Sequence, residues 1–326
     1  GLELLEQATQ RPKSHYSIDL MLGTQTDLPH LKELDFAAQY LYQASELALL
    51  DGDTAAALRW QAALIPMGSS LVDEPTLLSQ LVAIEIDGIA LDALERLLNK
   101  ARLDDAQLQR LDALYAAAIR PHTLRKIMIA ERCMSVGEVR DFVDEMLEAG
   151  EDTDNKKYES PGFPFSLLSE YQQLGIYRAF EQIIPELNPD WPTLVEKVKN
   201  GIEIPDTLAV GLLMPGLYRS AVAFARDIVI IRIARTALAI ERYRLANGDL
   251  PTSLADCVPA YLDSVPEDPF DGLPIRYRPT EDGYILYSVF DDLDDDDGAE
   301  WKRDREWVRS GDYPFEVRTA PSSLSP

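Results

Sequence analysis

Apolar residues recur every three or four positions, segment after segment, from Leu31 to Leu245, and the pattern stops at Asn247-Gly248. No other feature limits the fold as much, because a 3.6-residue period buries one stripe of a helix and does not suit a strand. Leu31, Leu34, Ala38, Leu41, Ala44 and Leu47 form the first stripe. Asp51-Gly52-Asp53-Thr54 then stops that helix at Gly52 and caps the next, Ala55 to Ile65. Glu74 to Ala101 reads as a long, mostly buried helix started by Asp73 and Pro75, with Leu77, Leu81, Ile84, Leu91 and Leu94 among its apolar positions. Further helices are expected over Asp104 to Ile119, Leu124 to Cys133, Val136 to Ala149, Ser166 to Leu187 and Trp191 to Lys199. Pro205 and Pro215 bracket a short apolar segment. A last, long helix covers Leu217 to Ala246, where Ile228, Ile231, Ala234, Leu238 and Leu245 call for burial. The helical hairpins vary in length and share no fixed period, so a regular repeat array is not expected.

Beyond Gly248 the texture changes. Ser253 to Leu262 reads as a small helix, Pro274 to Arg278 and Tyr284 to Val289 as strands paired around Glu281-Asp282-Gly283, and Tyr313 to Val317 as a third strand. A polar tail follows from Ala320. The fold class is therefore α+β, predominantly α. An irregular helical bundle or hairpin array over residues 1–220 precedes a module over 221–326, made of the long helix, a short helix, a small antiparallel β-sheet and an acidic loop. Glu151 to Pro164, polar and closed by Pro161-Gly162-Phe163-Pro164, is the segment best suited to a lid, with a plain connector as the alternative.

With 326 residues, 46% of them hydrophobic, the chain can bury a substantial core. Its 56 acidic residues against 31 basic ones give a formal net charge of −25. That field repels phosphate backbones, so nucleic acid is not an expected partner, and cations or a basic protein surface fit better. Arg232, Arg235 and Arg242 share one side of the long helix, either as a salt-bridged face or as a docking stripe for acidic groups. Cys133 and Cys257 have no C-x-x-C neighbour and read as separate thiols, or as one bridge if the protein is exported. No apolar run approaches the ~20 residues of a membrane span. The chain opens Gly1-Leu2-Glu3 without a methionine, which leaves room for a signal or membrane anchor upstream.

Catalytic signatures are missing. His15, His30 and His122 fall in no metal-ligand spacing, and there is no G-x-S-x-G elbow, G-x-G-x-x-G turn or Gly-Lys-Ser/Thr phosphate loop. Glu85 and Asp87 interrupt an apolar helix but point in different directions, so exposure or a salt bridge accounts for them better than acid–base work. Gly68-Ser69-Ser70 reads as a helix-break turn.

The acidic loop is the chemically pointed feature. Six aspartates occupy the seven positions Asp291 to Asp297. Held in a fixed loop between strands they would repel one another, and Ca²⁺, which takes about 6 to 8 oxygens, relieves this; a solvated acidic run is the other possibility. An EF-hand frame started at Asp292 fails, placing Asp297 where Gly is required and Arg303 where the bidentate Glu belongs.

The strings Glu241-Arg242-Tyr243-Arg244-Leu245-Ala246-Asn247-Gly248-Asp249-Leu250-Pro251-Thr252 and Tyr261-Leu262-Asp263-Ser264-Val265-Pro266-Glu267-Asp268-Pro269-Phe270, then Gly283-Tyr284-Ile285-Leu286-Tyr287-Ser288-Val289, occur in that order. Over roughly residues 221 to 318 the chain thereby resembles the globular part of the major pseudopilins of type II secretion systems. The resemblance implies a Ca²⁺ site in the loop after the Tyr-Ser strand end. It would use Asp292, Asp295 and Asp296, with Asp312 as the later aspartate opening the last strand. Two departures stand out. Phe290 occupies a position where that family commonly has Gly, and roughly 220 residues precede the module in place of a membrane-spanning half-helix, so filament assembly does not carry over.

The expected function is a non-catalytic binding or assembly protein of the cell envelope, periplasmic or surface-anchored, acting on a protein partner and carrying a structural Ca²⁺. The alternatives are an enzyme with a pocket in the helical domain and an intracellular helical interaction scaffold.

Overall fold

A computed structural model describes residues 1–11, 14–120, 124–135, 165–187, 190–200, 208–299, 302–303, 309–310 and 312–318. The helix expected over Val136 to Ala149, the segment Glu151 to Pro164, His122 and the tail from Ala320 lie outside them. The described chain is α+β and predominantly helical. After α1 (Leu2–Thr9) and a 3₁₀ stretch (Leu20–Gln25) come α2 (Pro29–Leu50), α3 (Thr54–Ser69), α4 (Leu77–Lys100) and α5 (Asp105–Ala117). Residues 124–135 form α6. Then follow α7 (Phe165–Glu186), α8 (Trp191–Asn200) and α9 (Leu208–Asn247).

Local chemistry explains most of these limits. Gly52 takes φ 74°, and the Asp53 side chain accepts from Ala56 N at 2.9 Å to cap α3. Asp104 and Gln107 close a capping box at the start of α5. The start of α4 falls three residues later than Glu74, because Thr76 is its cap and accepts from Ser79 N at 3.2 Å. Meanwhile α9 begins at Leu208 and runs through Pro215, so that proline does not delimit it. One missing backbone hydrogen bond is a local loss that a helix of 40 residues tolerates.

Helix α9 is the spine, packing on α4, α5, α7, α8 and the sheet. Ile231, Ala234 and Leu238 are buried as expected, whereas Leu245 is 52% exposed, on the final turns, where Arg244 through Asp249 face solvent or the surface. A continuous apolar cluster runs from Leu41 and Leu64 through Leu94 and Ile233 to Leu286 and Phe315, so the helices and the C-terminal strands share one core. A second cluster joins Ile84, Ile127, Phe180 and Phe224. The α2 stripe is partly out of phase with expectation: Leu31, Ala38 and Leu41 are buried, but Leu47 is 62% exposed.

The short helix expected over Ser253 to Leu262 is only a 3₁₀ turn, Leu254–Cys257; Pro259 has no N–H to extend it. Strands β1 (Arg276–Thr280), β2 (Gly283–Ser288) and β5 (Tyr313–Arg318) form an antiparallel sheet in the order β1-β2-β5, with the two-residue pieces β3 (Lys302–Arg303) and β4 (Arg309–Ser310) paired separately. Strand β5 is an edge, and α4 seals it. Glu95 Oε1 accepts from Glu316 N at 2.8 Å, Asn99 Oδ1 from Arg318 N at 2.6 Å, and Asn99 donates to Glu316 O at 2.8 Å. Pro314 offers no N–H, so the edge that would template another strand is occupied or mute.

Candidate functional site

Strand β2 ends at Ser288 and the chain enters the acidic loop over a buried anchor. Asp268 is fully buried, and its carboxylate accepts from Phe270 N at 3.0 Å and Val289 N at 3.1 Å. Phe270 packs against Phe290 at 5.2 Å between ring centroids. The Asp268-Pro269-Phe270 turn and the Tyr287-Ser288 strand end, distant in sequence, are thus one clamp. Burial pushes the Asp268 carboxyl up, and the N–H and Ser288 donors pull it back. Sequence reasoning quoted this aspartate without seeing its task.

The loop then turns tightly. Phe290, Leu293 and Asp297 have φ of 55°, 67° and 58°, and among the described residues they are the only non-glycine positions in left-handed backbone; Gly298 follows at φ 80°. Each such residue costs on the order of 1 kcal/mol and persists only where its surroundings fix it. Asp292 Oδ1 accepts from Asp294 N at 3.2 Å, and Asp295 Oδ1 from Asp297 N at 3.1 Å and from the Tyr287 hydroxyl at 3.0 Å. Arg278 donates to Asp297 O at 3.0 Å.

Asp312 closes the loop from the far side. Its residue surface is wholly buried, Oδ2 accepts from Gly298 N at 2.7 Å, and its own N–H donates to Ala299 O at 3.0 Å. Oδ1 is buried with no hydrogen-bond partner among the described residues. The carboxyl is pushed up to about 6, first by burial and then by the charges of Asp295 and Asp296, against the Gly298 and Asp296 N–H groups that favour ionisation. Three of the four expected ligands, Asp295, Asp296 and Asp312, therefore share one electrostatic neighbourhood, while Asp292 is engaged in its own turn. They do not form a closed cage: among the described residues no three His, Cys, Asp or Glu side chains converge tightly enough to hold a metal ion. The donor set nevertheless fits a hard cation, being all oxygen and carrying an acceptor without a donor.

Several charged groups elsewhere pair within the protein. Arg120 lies between Asp87 on α4 and Asp227 on α9, at 3.0 Å from the latter, with side-chain exposures of 3%, 3% and 6%. Gly68 makes room for them, since a Cβ there would stand 2.9 Å from the Arg120 guanidinium and from Ala83 O. Two carboxylates share one cation, and burial raises Asp87 well above the usual carboxylate range. The triad is packed shut, and Glu85 is exposed, so neither residue serves a cleft. Arg235 and Arg242 pair with Asp112 and Asp105 of α5, each at 2.7 Å, and Arg232 bonds Glu267 O; the arginine side of α9 is salt-bridged. His30 meets Glu74 at 2.9 Å and stacks on Tyr16. Cys133 is exposed and Cys257 buried, both as free thiols, so no bridge joins them. A cavity of about 530 Å³ lies between α4, α9 and the sheet, but Glu95 on its wall already holds Glu316 and Arg226 lies over the Tyr313 ring.

No described helix is long and apolar enough to cross a membrane. Comparison of the chain with family models, with curated proteins and with solved structures gave no significant match.

Proposed function

We propose that this chain is a non-catalytic binding or assembly protein of the cell envelope, periplasmic or surface-anchored, whose C-terminal module resembles the major pseudopilins and is held by a structural Ca²⁺. The observation that carries the ion is the Asp312 carboxylate: fully buried, with one oxygen lacking a donor, beside the charges of Asp295 and Asp296. Asp295, Asp296 and Asp312 would hold the ion, with Asp292 as an outer contributor. Ca²⁺ supplies charge neutralisation and fixes the loop between β2 and β5; no reaction is assigned to it. Phe290 supports the pseudopilin reading, because it adopts left-handed backbone where that family commonly has Gly. So does the contact between the Asp-Pro-Phe turn and the strand end. The envelope placement and the protein partner rest on that resemblance.

Thermal unfolding in chelator and in excess Ca²⁺ tests the ion. Binding to the folded state alone adds about 2.7 kcal/mol at a hundredfold excess over Kd, so the melting temperature should rise by several degrees. Asp312→Asn keeps the bond to Gly298 and should fold while losing that response. Equal melting temperatures with and without Ca²⁺ in the parent protein would sink the proposal.

A further inference from the structure

We infer that the outward face of α2 is a self-association surface whose occupant is a second copy of this chain, packed antiparallel across Gln43. Along this helix Phe36, Tyr40, Leu47 and Leu50 are 52%, 63%, 62% and 70% exposed. With Gln43, which is exposed as well, they follow one another at spacings of four, three, four and three. That spacing holds them on a single line of the helix surface. One exposed leucine is ordinary, but four large apolar side chains in file on a chain of net charge −25 are not a solvated face. The opposite side of α2 is fully used against α3 and α4, through Ala38, Leu41 and Ala48. The Lys32 ammonium lies 5.6 Å from the Phe36 ring centroid, at the head of the outward line.

The order of residues selects the partner. Phe36 stands seven positions before Gln43 and Leu50 seven after it; Tyr40 stands three before and Leu47 four after. Two copies of α2 crossing antiparallel at Gln43 therefore set Phe36 against the partner copy's Leu50 and Tyr40 against its Leu47. The two Gln43 amides meet on the two-fold axis, where each offers a donor and an acceptor to the other. Lys32, the charge at the head of the line, reaches the end of the other helix, where Asp51 and Asp53 are exposed. A cation at a helix C-terminus is favourable for a second reason, the partial negative charge there. A shifted pairing would place Gln43 against apolar groups and leave its amide unpaired, and a parallel one would set Lys32 against its own copy in place of the exposed Asp51 and Asp53. An unrelated partner would have no need of this near-palindrome. The buried area would be roughly 1,000 Å² over both copies, at the low end for specific association, so the dimer is weak.

Sedimentation velocity of the full chain tests this at about 0.15 M salt, where the screening length near 8 Å blunts the repulsion between two acidic molecules. The parent protein should shift from monomer to dimer with rising concentration. The double variant Tyr40→Glu/Leu47→Glu should weaken dimerisation by about 100-fold, as expected for truncating a central contact. A Gln43→Cys variant, built on Cys133→Ser to silence the exposed native thiol, should cross-link to itself on oxidation, whereas Glu33→Cys on the same background should not. The cross-link decides the matter even if the double variant fails to fold. A parent protein that stays monomeric at high concentration, a dimer indifferent to the double variant, or equal cross-linking at positions 33 and 43 overturns the proposal.

Discussion

Buried carboxylate occurs in two places that are balanced in different ways. Around Arg120 the chain brings a cation to Asp87 from 33 positions away and to Asp227 from 107. Charge is compensated from within, and the helices close so tightly that Gly68 has no room for a side chain. At the acidic loop Asp312 is equally buried, yet the groups facing it, Asp295 and Asp296, are also acids, and one of its oxygens has no donor. Arg276 approaches Asp295 at 3.5 Å but is shared with Asp271 and Asp268. A self-neutralised cluster belongs to the stability of the fold. A buried acid faced by other acids is the kind of cluster that the proposed Ca²⁺ would neutralise.

Removing the internal cation should have the largest effect. Arg120→Met leaves two carboxylates in the core without a partner, and breaking a buried ion pair in this way costs about 3 to 5 kcal/mol. Urea denaturation should show that loss, or the variant should fail to fold. Added Ca²⁺ should not repair it, because the triad has no opening. Repair by Ca²⁺ would break the distinction between the two clusters.

A smaller effect separates them by pH. Burial raises Asp87 well above the ordinary carboxylate range, ahead of the Arg120 attraction that lowers it. The folded protein then holds that proton at pH values where the unfolded chain, titrating near 3.9, has lost it. Its contribution is fullest below about pH 4 and declines as pH rises above that. Asp87→Asn cannot titrate, so the stability difference between parent and variant should move against the parent from pH 4 to pH 7. A pH-independent difference would mean that Arg120 holds Asp87 ionised throughout.

The contrast also marks what the sequence disclosed. Helix limits set by nearby atoms were legible: Gly52 and Asp53 between α2 and α3, Asp104 before α5, Asn247-Gly248 after α9. The hairpin turn before Gly283 and the third strand were legible for the same reason, since alternation and turn residues act over a few positions. Misread elements depended on distant packing. Pro215 stands within a helix, Leu47 and Leu245 obey the apolar period yet face outward, and the segment after Ser253 makes a single 3₁₀ turn. At the acidic loop the run of carboxylates was visible, but not that Asp312 would be the buried member with an unmet oxygen. The seal of β5 by Glu95 and Asn99 links residues more than 200 positions apart, and no local period encodes such a pair.

The smallest effect tests how far the loop is organised before an ion arrives. Tyr287 on β2 donates its hydroxyl to Asp295 Oδ1 at 3.0 Å, and burial with that acidic neighbour pushes the phenol up to about 12. The bond holds one expected ligand against the sheet while Asp297 N binds the same oxygen. Tyr287→Phe keeps the ring and deletes only the hydroxyl, a loss of about 0.5 to 1.5 kcal/mol for a typical hydrogen bond. If Asp295 is a ligand oriented by Tyr287, the variant should bind Ca²⁺ a few-fold more weakly by calorimetry, with little change in chelator-treated stability. If the hydroxyl matters only to packing, stability in chelator should fall while the Ca²⁺ affinity stays, and Asp295 would then stand with the internally satisfied carboxylates.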